Sequence, residues 1–398
     1  MFFISCPDID NNKSSLPIAN AGNDDTVQVG MYVILDGSGS TYYDDLGSEK
    51  FIWLADDKNE HETYIYQEII TDVGFVQESE YNFILIVYNQ NGLSDSDTVT
   101  IVVNSRQNIV FDDPVMEVNF RWSIKEPKGL ITETLLQSAD SIRWAPILNN
   151  KINSLGGIEN CINIQFLNLY NQNIVSIYAL THLIKLKKLE IAKNNIIDIS
   201  PLINLVELEY LNLSENEITD ISVLKSLINL NYLDLSYNYI SDISPLINCI
   251  NLEELYFVNA NISDLSPLSN LINLETLWIH HSLTNTDLTP LKTLDSLKFL
   301  YLKRNNITDI SVFSDLNQME RLYLSDNKIK DISSLSDLPN INLLNLQNNL
   351  IENIYPLVIN SGLGANDEVI LTGNPLDSIS FYEYIPILKN RGIYMIGF

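Results

Sequence analysis

The chain of 398 residues carries 23 Lys+Arg against 51 Asp+Glu, a formal net charge of −28. That balance excludes a protein built to coat nucleic acid, which needs cations to displace phosphate counterions, and it excludes electrostatic docking on anionic lipid. Hydrophobic residues make up 45%, enough for a large core, and no apolar run reaches the ~20 residues that span a bilayer.

Residues 1–15 open with Met1-Phe2-Phe3-Ile4-Ser5-Cys6 and continue as a polar linker from Pro7 to Ser15. An apolar run closed by a small residue and Cys resembles the end of a bacterial lipoprotein signal. The resemblance implies lipidation at Cys6, the one membrane contact expected. The plain alternative is an unmodified cysteine in an unpatterned terminus.

Residues 16–104 alternate Val, Ile, Tyr and Phe with turn residues: Val33-Ile34-Leu35, Phe51-Ile52-Trp53-Leu54, Tyr81 to Val87, and Thr98 to Val103. Period-two alternation with Gly-containing turns predicts an all-β Ig-like sandwich, with Trp53 as its core anchor. The order resembles the polycystic-kidney-disease-type (PKD) β-sandwich, which implies a module of cell-surface proteins. Leu54-Ala55-Asp56-Asp57 stands where that family carries an aromatic-Gly-Asp-Gly run. Before position 111 there are 18 acidic and 4 basic residues, half of the net charge. The pairs Asp24-Asp25, Asp44-Asp45 and Asp56-Asp57 lack the spacing of a calcium loop and read as solvated surface. The expected job of this domain is that of a spacer.

Residues 105–141 mix helical apolar spacing with Glu126-Pro127-Lys128-Gly129. They are expected to link the sandwich to the repeat domain and to cap the first repeat. Over 142–376 a 22-residue unit recurs as L-x-x-L-x-L-x-x-N-x-I followed by D-I-S-P-L. One copy runs Leu208, Leu211, Leu213, Asn216, Ile218, Asp220, Ile221, Ser222, Leu224, Leu227. The Asn column reads Asn150, Gln172, Asn194, Asn216, Asn238, Ala260, Ser282, Asn305, Asn327, Asn349 and Asn374. This is a leucine-rich repeat signature. It predicts an α/β-type solenoid with a parallel β-sheet on the concave face and short helical turns on the convex face. In each unit the L-x-L leucines point inward, the Asn bonds the bend, and Asp198, Asp220, Asp242, Asp264, Asp287, Asp309 and Asp331 cap the turns. Cys161 and Cys249 replace buried leucines four repeats apart, about 19 Å at strand spacing, too far to bridge. Residues 377–398, with Tyr382, Tyr384 and Pro386, read as the closing cap.

The D-I-S-P-L pattern resembles internalin-type and phosphatase-regulator-type leucine-rich repeats of the kind found in bacterial surface proteins. The resemblance implies a horseshoe that binds a macromolecule on its concave sheet.

Residues six, four and two before the Asn position point outward on that sheet. The middle column reads Pro146, Asn168, Glu190, Asn212, Asp234, Tyr256, Trp278, Tyr301, Tyr323, Asn345. Tyr210, Tyr232, Phe299 and Arg321 lie in one flanking column, and His280 and Lys303 in the other. Aromatic and Arg residues dominate binding hot spots, which makes these ten the candidate ligand site. The alternative is cross-strand stacking that stiffens the sheet. The repeat at Ser282 is one residue long, and a bulge there would re-aim side chains beside His280-His281. Adjacent strand histidines face opposite ways, so no metal site is expected. His61, His182, His280 and His281 form no catalytic arrangement, and no cofactor motif occurs.

Three functions remain. The first is a non-enzymatic adhesin or receptor-like protein on the outer face of a bacterial envelope, lipid-anchored or secreted, that binds a host or neighbouring-cell protein. The second is a carbohydrate-binding surface module that uses the aromatic row. The third is an intracellular phosphatase-regulator-like scaffold.

Overall fold

The computed structural model describes residues 16–41, 50–56, 64–66, 68, 70–88, 92–105, 110–143, 150–283 and 287–397. The chain separates into two compact units, one of residues 1–132 with 143–151, the other of 133–142 with 152–398. Among the described residues no helix is long and apolar enough to cross a membrane.

In the first unit, strands β1 (Asp25–Gln28), β2 (Tyr32–Asp36), β3 (Lys50–Asp56), β4 (Tyr64–Tyr66), β5 (Ile70–Gly74), β6 (Ser79–Tyr88) and β7 (Ser94–Asn104) form two sheets. One has the order β1-β7-β6-β3-β4, and the other pairs β2 with β5. Alternation decides which side chains go inside. Tyr81, Phe83, Leu85 and Val87 of β6 are buried, as are Val99, Ile101 and Val103 of β7, while the residues between them face outward. Trp53 of β3 is fully buried in the same cluster, beside Phe75 and Phe83.

Helix α1 (Pro114–Ile124) belongs to this unit. Asp113 caps it by accepting the Val115 N–H at 2.8 Å, and Pro114 occupies the first turn, where no N–H donor is missed. Val118 packs on Tyr32, with Val76 and Trp122 alongside, and Trp122 Nε1 donates to Asp72 at 2.7 Å. On its buried side Arg121 and Glu117 form an ion pair at 2.8 Å with both side chains under 5% exposed. Of the segment expected to cap the repeats, α1 therefore groups with the β-rich unit, and helix α2 (Glu133–Ser138) with the repeats.

The second unit is a leucine-rich repeat solenoid. Its 12-stranded parallel sheet runs in chain order through β8 (Ser141–Ile142), β9 (Phe166–Asn168), β10 (Lys188–Glu190), β11 (Tyr210–Asn212), β12 (Tyr232–Asp234), β13 (Glu254–Val258), β14 (Thr276–His280), β15 (Phe299–Tyr301), β16 (Arg321–Tyr323), β17 (Leu343–Asn345), β18 (Glu368–Ile370) and β19 (Tyr394–Ile396). The central leucines Leu189, Leu211, Leu233, Leu255, Leu277, Leu300 and Leu322 pair in register and are fully buried. Each such side chain contributes about 2 kcal/mol by leaving water, but only because its neighbours cover it, which is why the stack and not the single repeat is the folding unit.

The turns follow one local rule. Asp198, Asp220, Asp242, Asp264, Asp287, Asp309 and Asp331 each accept the N–H two residues on, at 2.8–2.9 Å, and open a short 3-10 turn such as Ser200–Asn204 or Ser244–Asn248. At the other bend, Asn216 accepts the Ile196 N–H at 3.1 Å and donates to the carbonyls of Ile191 and Leu213 at 3.1 and 3.0 Å. Asn194, Asn238, Asn327, Asn349 and Asn374 repeat the pattern. The residue before each ladder position is left-handed even without glycine: Lys193, Glu215, Tyr237, His281, Arg304 and Asp326 have φ of 52–60°. That conformation costs roughly 1–2 kcal/mol per residue, and the side-chain amide that comes next holds it.

Two differences from expectation stand out. Strand β14 itself carries no bulge: it pairs with β13 over five residues, each 22 positions apart, and with β15 over three, each 23 apart, Trp278 opposite Tyr301. The extra residue of the count therefore falls past the strand, and just beyond it Leu283 bridges Ile262 at 21 positions, one residue out of register. At the C-terminal end, Leu371 lies just past β18, and helix α3 (Tyr355–Ile359), helix α4 (Ile385–Asn390) and a further parallel strand, β19, complete the stack. Cys161 and Cys249 are buried and unbridged, and burial pushes their thiols up to about 12 and about 11.

Candidate ligand-binding face

Alternation along each short strand sends one residue into the leucine core and its two neighbours to the outer face. Tyr210, Tyr232, Phe299 and Arg321 occupy the first position of their strands, and Tyr256, Trp278, Tyr301 and Tyr323 the third. His280 and Lys303 come two positions later. All ten residues proposed from the sequence therefore lie on one sheet face, half-buried except for the exposed Arg321. Pro146, Cys6, His61, Asp44, Asp45 and Asp57 lie outside the described residues.

Six of the rings form one continuous row. Tyr210 and Tyr232 stack at 4.2 Å and 9°. Trp278 stacks on Tyr301 at 4.0 Å and 8°, and Tyr301 on Tyr323 at 4.3 Å and 11°. Tyr256 joins the two stacks through wider, tilted contacts, 5.4 Å and 39° to Tyr232, 6.2 Å and 37° to Trp278. The stacking is a product of the fold, because parallel in-register strands about 4.8 Å apart place identical positions at near ring-stacking distance. Lys188 extends the row, its ammonium 4.1 Å from the Tyr210 ring and 5.7 Å from Phe166, and Arg321 lies 5.6 Å over Phe299.

Carboxylates tie the row down at one end. Tyr210 Oη donates to Glu190 at 3.1 Å, and Asn212 Nδ2 donates to the same oxygen at 3.2 Å. Tyr256 Oη donates to Glu254 at 2.5 Å. Burial raises the carboxyls of Glu190 and Asp234 above their usual range, against the hydrogen bonds they accept. Burial and the Glu190 charge push the Tyr210 phenol up to about 12, and Tyr232 and Tyr256 are raised too, by burial and then by Asp234 and Glu254 respectively. At the other end Lys303 and Arg304 share Asp326 at 3.5 and 3.6 Å. Burial, then those two cations, lower the His280 imidazole. Along the strand-start edge Lys187 and Lys298 are paired with Glu209 and Glu275.

The carboxylates Glu190, Asp234 and Glu254 and the cation Lys188 were not among the sequence candidates. Reading every outward column for charge as well as for aromatics would have found them. Among the described residues no group of His, Cys, Asp and Glu is arranged to hold a metal ion.

Family models for leucine-rich repeats match residues 184–226, 206–248, 228–270 and 250–293 in a two-copy form, and 272–329 and 295–351 in a second form. An internalin, InlF, from Listeria monocytogenes is 30% identical over 70% of this chain and 87% of its own, with a TM-score of 0.60. The chain belongs to the internalin family. Another internalin, InlC2 of the same species, is 28% identical over 59% of this chain and 93% of its own, with a TM-score of 0.47. The functional domain of Listeria monocytogenes InlJ, described as including a cysteine ladder, is 21% identical over 68% of this chain and 53% of its own, also at 0.47. No curated protein sequence matches this internalin-family chain.

Proposed function

We propose that the chain is a non-catalytic bacterial surface protein that captures a protein partner on the sheet face of its repeat unit. The observation that carries this reading is the row of six half-buried rings from Tyr210 to Tyr323, laid over a face whose leucine core is already complete beneath it. Rigid aromatic side chains contribute contact area at low entropic cost, and Tyr, Trp and Arg concentrate binding energy.

The same row weighs against a carbohydrate ligand. Sugar recognition by stacking needs open ring faces, and Tyr210, Tyr232, Trp278, Tyr301 and Tyr323 turn theirs toward one another. Ring edges and hydroxyls remain, which suits a protein surface. Membership of the internalin family favours this reading over an intracellular scaffold. The finer assignments belong to the same proposal: lipidation at Cys6, a PKD-type sandwich serving as spacer, and an adhesive role at the outer face of the envelope.

Replacing Tyr256, Trp278, Tyr301 and Tyr323 with Ser tests the site. The variant should lose binding of whole chain to partner-bearing cells while the buried leucines keep the fold, checked by its melting curve. Undiminished binding would sink the sheet face as the site. Labelling of intact cells tests display, and a chain reached only after lysis would refute it.

A further inference from the structure

The aromatic row is electrically two-sided. Over β11–β13 the outward positions and the left-handed turn residues after them carry three carboxylates, Glu215, Asp234 and Glu254, and no cation. Over β14–β16 the equivalent positions carry Lys303, Arg304 and Arg321 against the single carboxylate Asp326. On a chain of net charge −28, a local excess of cations beside the aromatics is the opposite of what composition alone would place there.

Each end is incompletely neutralised. Among the described residues neither Asp234 nor Glu254 forms an ion pair, although Asp234 is largely withdrawn from water. Arg321 has the Phe299 ring and, among the described residues, no carboxylate partner. The joint in the row falls at the acidic end. Tyr256 stands between tilted neighbours at 5.4 and 6.2 Å, so neither of its faces is covered by a parallel ring. Asp234 holds the same column one strand earlier, and Glu254 lies two residues before it in β13, bonded to its hydroxyl. A ring without a parallel stacked neighbour, flanked by two carboxylates, is the chemistry that holds a guanidinium or ammonium group.

We propose that this face takes a segment of a protein partner with two opposite charges. An Arg or Lys side chain sits over Tyr256 between Asp234 and Glu254, and an Asp or Glu side chain sits at Arg321. Glu254 and Arg321 both hold the first position of their strands and are three strands apart, about 14 Å at sheet spacing, which is about four residues of extended chain. The arrangement fixes the direction of the bound segment as well as its composition, because a reversed segment meets like charge at both ends. This inference rests on the sheet face being the binding site.

A phage-displayed library of random twelve-residue peptides, panned on the whole chain, tests it. Selected peptides should pair Arg or Lys with Asp or Glu at about four residues' spacing. They should bind about tenfold less tightly to Asp234→Asn with Glu254→Gln, and to Arg321→Gln. The two carboxylate changes are isosteric, removing charge while keeping the hydrogen bonds to Ser236 N and Tyr256 Oη. Melting temperatures no lower than the parent's establish that the variants fold. Peptides with no charge pairing, or unaffected by both charge variants yet lost on Tyr256→Ser with Trp278→Ser, overturn the two-charge proposal and leave the face as the site. Peptides unaffected by the ring variant overturn the face itself, and a library that yields no enrichment over that variant overturns both.

Discussion

Asn216 offers the sharpest test of how the solenoid is held. Replacing it with Ala removes four hydrogen bonds, but the losses are unequal. The Ile191 carbonyl keeps the amide of Asn194 at 3.0 Å, the Leu213 carbonyl keeps that of Asn238 at 2.9 Å, and the Ser214 carbonyl keeps the Lys193 N–H at 2.8 Å. Only the buried Ile196 N–H loses its acceptor outright. An orphaned buried N–H costs roughly 1–3 kcal/mol and each shared bond about 0.5–1 kcal/mol more, so Asn216→Ala should lose about 3 kcal/mol. Asn216→Ser should lose about 1 kcal/mol less, since Ser282 shows that a hydroxyl in this column reaches the carbonyl 25 residues back, Phe257, at 3.0 Å. Asn216→Asp should be worse than Ala at neutral pH, because its carboxylate faces three carbonyls, and the gap should shrink in acid. Urea unfolding of the whole chain gives the free energies, and hydrogen exchange of the peptide spanning Ile196 locates the loss. An Ala variant within about 0.5 kcal/mol of the parent, or an Asp variant no worse than Ala, would refute the reasoning.

Other expectations rest on the same geometry. Glu117→Ala strands Arg121 in the first unit and should cost about 3–5 kcal/mol by denaturant titration. Gly30→Ala should cost about 2 kcal/mol, because φ is +93° and the added carbon would lie 2.8 Å from the Glu117 carboxyl carbon. Cys161 and Cys249, with thiols raised to about 12 and about 11, should resist iodoacetamide at pH 8 when folded and react once unfolded, read by mass spectrometry of their peptides. Tyr210 should ionise near 12 in an absorbance titration. Its raised folded value means stability that is full below pH 10 and falls as pH climbs from 10 to 12. The raised carboxyls of Glu190 and Asp234 bind protons more tightly when folded, so Asp234→Asn should be more stable than the parent at pH 7, with the gap closing as pH falls.

The repeat stack could be read from sequence because each of its slots has one physical solution. A leucine every few residues, an Asn at the bend and an Asp two before a free N–H leave little choice of backbone. β19 escaped because Tyr394-Met395-Ile396 has neither the leucines nor the Asn of the other units and depends on β18 for its edge. The place of helix α1 is hard to read for a related reason. Its apolar spacing signals a helix, but Trp122 and Val118 do not say which surface will receive them. On the binding face the columns were legible and the contacts were not. Spacing places Trp278 beside Tyr301, yet only rotamers decide that they stack flat while Tyr256 stands tilted. The long repeat teaches the same lesson, since sequence counts the extra residue after Ser282 but does not show that β14 stays regular and the register slips only beyond it, at Leu283.

The stacked row has an optical consequence. Trp278 lies in the middle of five tyrosines that touch it directly or through one another, so ultraviolet energy absorbed by any of them passes down the row and is emitted by its indole, one of four in the chain. A partner that parts Tyr256 from Trp278, or covers their edges, changes that emission without any dye attached. The face that is proposed to bind thereby carries its own fluorescent sensor, read as the difference between the chain and Trp278→Phe.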